Sequence, residues 1–220
     1  MNAIAALPDT LVGLPTSRTP LLKRGERVLE PDVYRTQING RAAVVKDYRR
    51  YRGTVLEPVA RLLVRREAKV LARLDGWRHA PALLGVIGGL ALGMEYVRGE
   101  TLSSLRAAST EVFDQLQSAL ERLHAVGITH NDLHGTNVMV SAGVPVLIDF
   151  TSAWRVPKWR FNNPIARQLR RSDYKNLLKM RKRVTGQEIP AELAAKVAEP
   201  NWVRVIRSGW KSLYRRVKGA

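Results

Sequence analysis

The chain has 220 residues and carries 37 Lys and Arg against 19 Asp and Glu, a formal net charge of +18 at neutral pH. Its composition, 45% hydrophobic and 25% charged, is typical of a globular protein and excludes wholesale disorder and collagen-like repeats. The absence of cysteine excludes disulfides, thiolate zinc sites and cysteine nucleophiles. A chain of this length favours one domain of two lobes or two small domains.

The N-terminal part of the chain predicts a strand pair. Residues 1–15 lack the basic start and long apolar run of a secretory signal, so we expect none. Residues 27–38 and 41–48 predict two strands, because Asn39-Gly40 between them supplies the positive φ angles of a tight hairpin turn. The second strand carries Lys46 near its end.

A helix is predicted next, over about residues 55–74. Its apolar residues recur at helical spacing and form one stripe: Leu56, Val59, Leu63, Val70 and Leu74. Glu67 falls in the same stripe, and a carboxylate on a buried face is costly unless a cation or hydrogen-bond donor meets it. Lys46 on the preceding strand is the nearest good partner, so we predict a pair between them.

The middle of the chain predicts a second hairpin and a second helix. Residues 82–97 contain two apolar runs joined by Gly88-Gly89, which predict strands that end in the extended segment MEYV. Apolar residues at helical spacing then predict a helix with Thr110 as N-cap and Gly127 as C-cap.

The last third predicts two short strands and basic helices. The strands cover residues 137–140 and 144–150, and the chain beyond Pro164 is predicted to be helical. The longest uncharged stretch, residues 80–94, is shorter than the roughly 20 apolar residues that a membrane span needs.

Three polar residues near these strands favour phosphoryl transfer. Asp132 precedes Asn137 by five residues across a loop, and Asp149 follows at the end of an apolar strand. Two oxygen ligands held at strand ends suit a cation such as Mg²⁺, and a further carboxylate is left as a base. An alternative is a metal hydrolase that uses His130, Asp132 and His134, which alternate along an extended segment.

These residues resemble the protein-kinase-like phosphotransferase superfamily. HNDLHGTN is similar to the catalytic loop H-R-D-L-x-x-x-N, and IDFTSAW is similar to the metal-binding D-F-G segment. The resemblance covers roughly residues 27–155 and implies an α+β, two-lobed fold. A small β-rich N-lobe (1–97) would end in the hinge, and a helical C-lobe (98–220) would hold the catalytic loop and basic C-terminal helices.

The resemblance implies an ATP- and Mg²⁺-dependent kinase with a role for each matched residue. Lys46 would contact the α- and β-phosphates of ATP and be held by Glu67. Asp132 would orient and deprotonate the acceptor hydroxyl, and Asn137 and Asp149 would ligate Mg²⁺. Backbone groups of Glu95 and Val97, in the segment similar to the hinge, would bind adenine. His130 would support the catalytic loop.

Two departures from the kinase pattern stand out. Only Gly25 and Gly40 occur between residues 24 and 41, so no Gly-rich phosphate loop is present, and a different segment must cover the phosphates. Thr151 replaces the glycine of D-F-G and no A-P-E follows, which argues against a phosphorylation-switched activation segment.

Residues 44–74 together with MEYVRGETL resemble the lipopolysaccharide core kinases, which phosphorylate a Kdo or heptose sugar at the inner face of the membrane. This branch is the main prediction. RIO-type kinases share parts of the pattern, so an atypical Ser/Thr protein kinase is the first alternative, and a catalytically dead kinase-fold adaptor for membrane or RNA is the second. His134 is also similar to a residue of the aminoglycoside and choline phosphotransferases.

The excess charge lies mainly in the C-terminal part of the chain. Residues 1–150 contain 19 basic and 15 acidic residues, and residues 151–220 contain 18 and 4, so the net charges are +4 and +14. Residues 202–217 place tryptophans beside a basic face, which is typical of a helix in a membrane interface and also compatible with packing on the C-lobe. We therefore expect a cytoplasmic protein, peripheral on the inner membrane, with an anionic glycolipid acceptor; nucleic acid contact through residues 166–183 is the weaker alternative.

Overall fold

The computed structural model describes residues 6–7, 20–105, 108–157, 161, 163–186, 188 and 197. Within these residues the chain forms a six-stranded sheet, two small sheets and three α-helices, so the predicted α+β class is confirmed. The tail helix predicted over residues 202–217 lies outside the described residues, and its membrane contact stays a prediction. The predicted boundary of the lobes at residue 97 also stays a prediction.

The large sheet has the strand order β1-β5-β6-β4-β3-β2. Its strands are β1 (Ala6–Leu7), β2 (Leu21–Lys23), β3 (Asp32–Ile38), β4 (Arg41–Asp47), β5 (Leu83–Ile87) and β6 (Ala91–Glu95). All neighbours are antiparallel except β1 and β5. Both predicted hairpins are confirmed, and Asn39, Gly40, Gly88 and Gly89 have the positive φ angles that their turns require.

The first predicted strand is wrong over residues 27–31. These residues form a folded loop, and β3 begins only at Asp32. The Glu30 carboxylate accepts hydrogen bonds from the backbone N–H groups of Glu26 and Arg27. Leu29 has a left-handed backbone with φ +61. In a strand, backbone N–H groups donate to the adjacent strand. The Glu26 and Arg27 N–H groups donate to Glu30 instead, so β3 begins only after this loop.

The first helix, α1 (Glu57–Arg73), packs against the sheet and buries Glu67, as predicted. The buried face differs from the predicted stripe. Val59 is 40% exposed, and the buried positions are Ala60, Val64, Glu67, Ala68, Val70 and Leu71. Small alanines let the helix approach the sheet closely, and the periodicity of large apolar residues alone did not reveal their contribution.

The second part of the chain contains two further helices and short strands. The helices are α2 (Thr110–Ala125) and α3 (Pro164–Thr185), and the strands are β7 (Glu100–Thr101), β8 (Ile128–Thr129), β9 (Val138–Ser141), β10 (Val144–Leu147) and β11 (Trp154–Arg155). The N-cap of α2 is Ser109, not Thr110, because Ser109 has the extended backbone and Thr110 is already helical. Gly127 follows the end of α2 with φ +80.

One large apolar core joins the sheet to the helices. It includes Leu71 from α1, Leu92 from β6, Phe113 from α2, Phe150 after β10 and Leu177 from α3. Within the described ranges, no helix has the length and apolar content that crossing a membrane requires. At one side of this core α1, which carries Glu67, contacts the turn that follows Asp149.

Candidate active site

Lys46 and Glu67 form a buried ion pair. The register of β4 with β6 sets Lys46 opposite Leu92, and α1 presents Glu67 from its buried face. Lys46 Nζ lies 2.7 Å from Glu67 Oε1, with side chains 9% and 2% exposed. Phe150 N–H (3.1 Å) and the Thr151 hydroxyl (2.9 Å) also donate to Glu67. The pair predicted from the sequence is therefore present, and the buried carboxylate has three donors.

Asp149 joins the same cluster after β10. Lys46 Nζ lies 2.7 Å from Asp149 Oδ1, and the Thr151 hydroxyl oxygen lies 2.7 Å from the same carboxylate oxygen. Burial alone would lower the pKa of Lys46, but Glu67 and Asp149 outweigh it and hold the pKa above its ordinary value. Burial alone would raise the pKa of Asp149, and Lys46 reverses this, so the pKa lies below its ordinary value. Lys46 and Asp149 are therefore both charged near neutral pH.

Thr151 is a site residue that the sequence showed only as a departure from D-F-G. Its hydroxyl lies 3.2 Å from Lys46 Nζ and within hydrogen-bond distance of both Glu67 and Asp149. A glycine in this place would leave that side-chain contact unmade. Asp149 itself has a left-handed backbone, φ +62, which turns the chain sharply at the end of the strand.

The catalytic loop brings Asp132 and Asn137 together. The Asn137 amide nitrogen donates to the Asp132 carbonyl oxygen at 2.9 Å and lies 3.0 Å from His134 Nε2. His134 Nδ1 lies 2.6 Å from the Thr136 hydroxyl. The Asp132 carboxylate is half exposed and so is open to an incoming acceptor. The predicted base therefore lies beside the predicted metal ligand.

His130 and Asp173 support this loop from inside the protein. His130 Nε2 donates to the Ile148 carbonyl (3.1 Å), and burial lowers the pKa of the ring, so His130 is neutral at pH 7. Asp173 of α3 is fully buried and accepts from the backbone N–H groups of His130 (2.9 Å) and Asn131 (2.8 Å). His124 Nε2 donates to it as well, at 2.9 Å. Sequence reasoning missed Asp173, although it is the lone acidic residue in a basic helix.

Replacing Asp173 with asparagine (D173N) is expected to destabilise the protein by about 2–4 kcal/mol. The asparagine NH₂ group replaces a carboxylate oxygen that accepted hydrogen bonds, so at least one of the donors around position 173 loses its acceptor. Each buried donor without an acceptor costs about 1–3 kcal/mol. Urea unfolding followed by circular dichroism measures the change. Asp114→Asn is the matched control, because the exposed Asp114 of α2 pairs with Arg181 of α3, the helix that carries Asp173. A D173N protein as stable as D114N would contradict the expectation.

Asn137 and Asp149 fit a magnesium ion. They are adjacent because Ile148 N–H donates to the Asn137 carbonyl at 2.9 Å. The Asn137 amide nitrogen is engaged with Asp132, so the amide oxygen points the other way. Asp149 Oδ2 accepts no hydrogen bond from a described residue. Two oxygen ligands from the protein suit Mg²⁺, which keeps several waters and substrate phosphates.

The alternative metal centre of a hydrolase is wrong. No group of three or more His, Cys, Asp or Glu side chains in the described part of the chain could hold a metal ion. His130 faces inward, with Nε2 engaged by a carbonyl oxygen, and so it cannot join Asp132 and His134 around an ion.

Glu95 and Val97, the predicted adenine-binding residues, lie where β6 ends. The Glu95 N–H donates to the Ala82 carbonyl at 2.9 Å, so this N–H is not free to bind adenine. A cavity of about 360 Å³ borders this segment on the side of residues 76–82. Its walls include Trp77, Glu95 and Val97 but none of the charged site residues, so it is not the place of phosphoryl transfer.

Comparison with known proteins decides the family. A family model described as the RIO domain matches residues 32–193, which is most of the chain and includes every candidate site residue. The chain belongs to the RIO-domain family. This membership confirms the protein-kinase-like superfamily predicted from the motifs. The expected lipopolysaccharide core kinase branch finds no support, and the RIO-type alternative fits better.

Two similar proteins have been described. The probable bifunctional tRNA threonylcarbamoyladenosine biosynthesis protein of Methanothermobacter thermautotrophicus is 34% identical over 128 residues, which are 55% of this chain and 23% of that protein. This RIO-family chain therefore spans about a quarter of that relative. A crystal structure of the Rio2 kinase from Chaetomium thermophilum, with ADP/Mg²⁺ and phosphoaspartate, is 16% identical with a TM-score of 0.63. The match covers 84% of this chain and 61% of the Rio2 chain, and it confirms the kinase-like fold.

Proposed function

We propose that this RIO-family chain is an ATP- and Mg²⁺-dependent kinase that phosphorylates a serine or threonine hydroxyl of a protein. The observation that carries the proposal is the charged cluster of Lys46, Glu67 and Asp149 beside the exposed Asp132 and the Asn137 amide. A cluster with a cation, a metal-binding carboxylate and a separate exposed base contains the groups that phosphoryl transfer requires.

In this proposal Lys46 binds the α- and β-phosphates. Glu67 holds its ammonium group from behind, and the surrounding core keeps the pair in one place. The buried carboxylate keeps Lys46 protonated, so a full positive charge meets the phosphates at physiological pH. Because the ammonium group is already held in position, little ordering remains to be done when the nucleotide arrives.

Asp132 acts on the acceptor in this proposal. Its exposed carboxylate accepts the hydroxyl hydrogen and aligns the oxygen with the γ-phosphorus. The P–O bond to the acceptor forms as the bond to ADP breaks, and the hydroxyl proton passes to Asp132. Asn137 and Asp149 would hold Mg²⁺, which neutralises charge that develops on the phosphoryl oxygens.

An Asp132→Asn variant (D132N) tests the proposal. A general base contributes about 10² to 10⁴ in rate, so transfer is expected to fall by that factor while ATP affinity changes by less than about threefold. Transfer from γ-³²P-ATP is measured with α-casein and histone H1 as generic acceptors. Asp75→Asn is the matched control, because Asp75 is exposed and lies away from the cluster.

The chemical nature of the product distinguishes the alternatives. The Rio2 structure contains phosphoaspartate, so the labelled proteins are also treated with hydroxylamine, which cleaves an acyl phosphate and spares a phosphoserine or phosphothreonine ester. Label that is stable to hydroxylamine and lost in D132N supports the proposal. Deep-rough lipopolysaccharide is offered as a third acceptor. Label solely on this glycolipid, label that hydroxylamine removes, or a D132N protein with the wild-type rate would overturn the proposal.

A further inference from the structure

The loop between β2 and β3, residues 24–31, stands where kinases carry a Gly-rich phosphate loop, and it is folded differently. Gly25 is its sole glycine. A side chain at Gly25 would collide with Arg50 and with the Glu30 carbonyl oxygen, which explains why this position is glycine. The Gly25 N–H donates to Asp32 Oδ1 at 2.8 Å, so it is not free for a ligand.

Two residues that follow β4 hold this loop in place. Arg50 donates to the carbonyl oxygens of Gly25 and Glu30, one near each end of the loop. The Tyr51 hydroxyl accepts from the Leu29 N–H at 2.7 Å. The loop thus has a defined shape without the backbone freedom of repeated glycines.

The Glu30 carboxylate fills an anion site inside this loop. Its Oε2 accepts from two successive backbone N–H groups, those of Glu26 and Arg27, both at 3.0 Å. Its Oε1 lies 2.6 Å from Lys23 Nζ. Successive N–H groups that converge on one oxygen form a nest, a concavity that binds phosphate in many nucleotide sites. The contact with Lys23, followed by the hydrogen bonds from the Arg27 and Glu26 N–H groups, lowers the pKa of Glu30 to about 2. The carboxylate is therefore an anion at neutral pH.

Lys23, one donor of this nest, lies in the same row of the sheet as Lys46. Lys23 pairs with Val33 across β2 and β3, and Val33 pairs with Lys46 across β3 and β4. Paired residues of adjacent antiparallel strands point to the same face of a sheet, so Lys23 and Lys46 share a face. Two strand spacings separate them by about 10 Å. The anion site and the phosphate-binding lysine therefore lie along one row of the sheet.

We infer that Glu30 is an internal competitor for the nucleotide phosphates. Its carboxylate occupies the nest of Glu26, Arg27 and Lys23, and a phosphate of the bound nucleotide takes these three donors when Glu30 leaves. The exchange swaps one anion for another on the same donors, with no covalent step. The inference rests on the proposed function, since it assigns the loop to the nucleotide of that reaction.

A Glu30→Gln variant (E30Q) measures the competition by isothermal titration calorimetry. The neutral amide is a weaker acceptor than the carboxylate and leaves the nest open more often. ATP is expected to bind E30Q about tenfold more tightly, the gain that follows if the wild-type nest is open in about one molecule in ten. Adenosine has no phosphate, and its affinity is expected to stay within about twofold of wild type. Glu26→Gln is the matched control, because it removes the same charge from the same loop and keeps the backbone N–H that Glu26 contributes to the nest.

A second variant separates competition from bracing. In the E30Q background, Lys23→Met is expected to remove most of the gain in ATP affinity, because the Lys23 ammonium group then contacts the nucleotide phosphate directly. ATP binding by E30Q that is unchanged or weaker would overturn the inference and show that Glu30 only braces the loop. An E26Q protein with the same gain would overturn it too, because net charge would then explain the effect.

Pyrophosphate serves as a probe that is independent of the nucleotide. E30Q is expected to bind it more tightly than wild type, whether or not either protein binds adenosine. Failure of both proteins to bind ATP would contradict the proposed function, and the pyrophosphate titration would still decide the role of Glu30. Equal pyrophosphate affinity in the two proteins counts against the inference.

Discussion

An Asp149→Asn variant (D149N) is expected to lose phosphoryl transfer by at least about a thousandfold. A metal ion stabilises developing charge by several kcal/mol, and each 1.36 kcal/mol is tenfold in rate. Asp149 would be the sole carboxylate among the two proposed magnesium ligands, so its neutral isostere holds the ion poorly. The initial rate of γ-phosphate release or transfer, followed over a range of Mg²⁺ concentrations, measures the loss.

Binding distinguishes a lost metal ligand from a damaged fold. ADP affinity of the wild type is expected to rise when Mg²⁺ is added, and in D149N this rise is expected to disappear. Lys46 keeps Glu67 as a partner in D149N, so the fold is expected to survive. Asp75→Asn again removes one exposed carboxylate without reaching the cluster. If D149N kept both the wild-type rate and the Mg²⁺ response, the proposed metal site would be wrong.

The largest effect on stability is expected from Lys46→Met (K46M). Removing one partner of a buried ion pair leaves an uncompensated buried charge and costs about 3–5 kcal/mol. The Glu67 side chain is 2% exposed and would keep only the Phe150 N–H and the Thr151 hydroxyl as donors. Urea unfolding at pH 7, followed by circular dichroism, measures the difference in the free energy of unfolding.

The double variant K46M/E67M provides the decisive comparison. Replacing a whole buried pair by apolar residues removes the uncompensated charge, so the double variant is expected to be more stable than K46M. It stays below wild type, because the Phe150 N–H loses its acceptor and Asp149 loses Lys46. Both variants are expected to be inactive, because both lack the phosphate-binding ammonium group. Lys69→Met changes an exposed lysine of the same helix and is expected to shift stability by about 0.5 kcal/mol or less. A double variant as unstable as K46M would contradict the assignment of the cost to a buried charge.

Much of the site could be predicted because its signals are local. Residues 130–137 and the segment that ends at Asp149 each place a polar group beside a short apolar segment. This pattern can be recognised from neighbouring residues alone. Glu67 was detectable for a related reason, since a carboxylate within an apolar helical stripe requires a partner. The roles of these residues in catalysis stay predictions that the variants above test.

Residues that act through long-range contacts could not be found in this way. Asp173 lies 43 positions after His130, and only the packing of α3 against the loop brings its carboxylate to the two backbone N–H groups. Thr151 was visible only as a substitution in the D-F-G pattern, because its contacts come from β4 and α1. Arg50 and Tyr51 hold a loop more than 20 positions earlier, and no periodic pattern predicts such contacts.

By itself the sequence determined the α+β class, the two hairpins and the helix that bears Glu67, and it singled out the candidate site residues. These features depend on hydrophobic periodicity, turn residues and short motifs, which neighbouring residues specify. The tertiary structure alone decided how residues 24–31 fold, which carboxylate anchors the catalytic loop and how Lys46, Glu67 and Asp149 share their charges. The physical reason is that these interactions join groups distant in sequence, and their energies depend on burial and distance, which exist only once the core has formed.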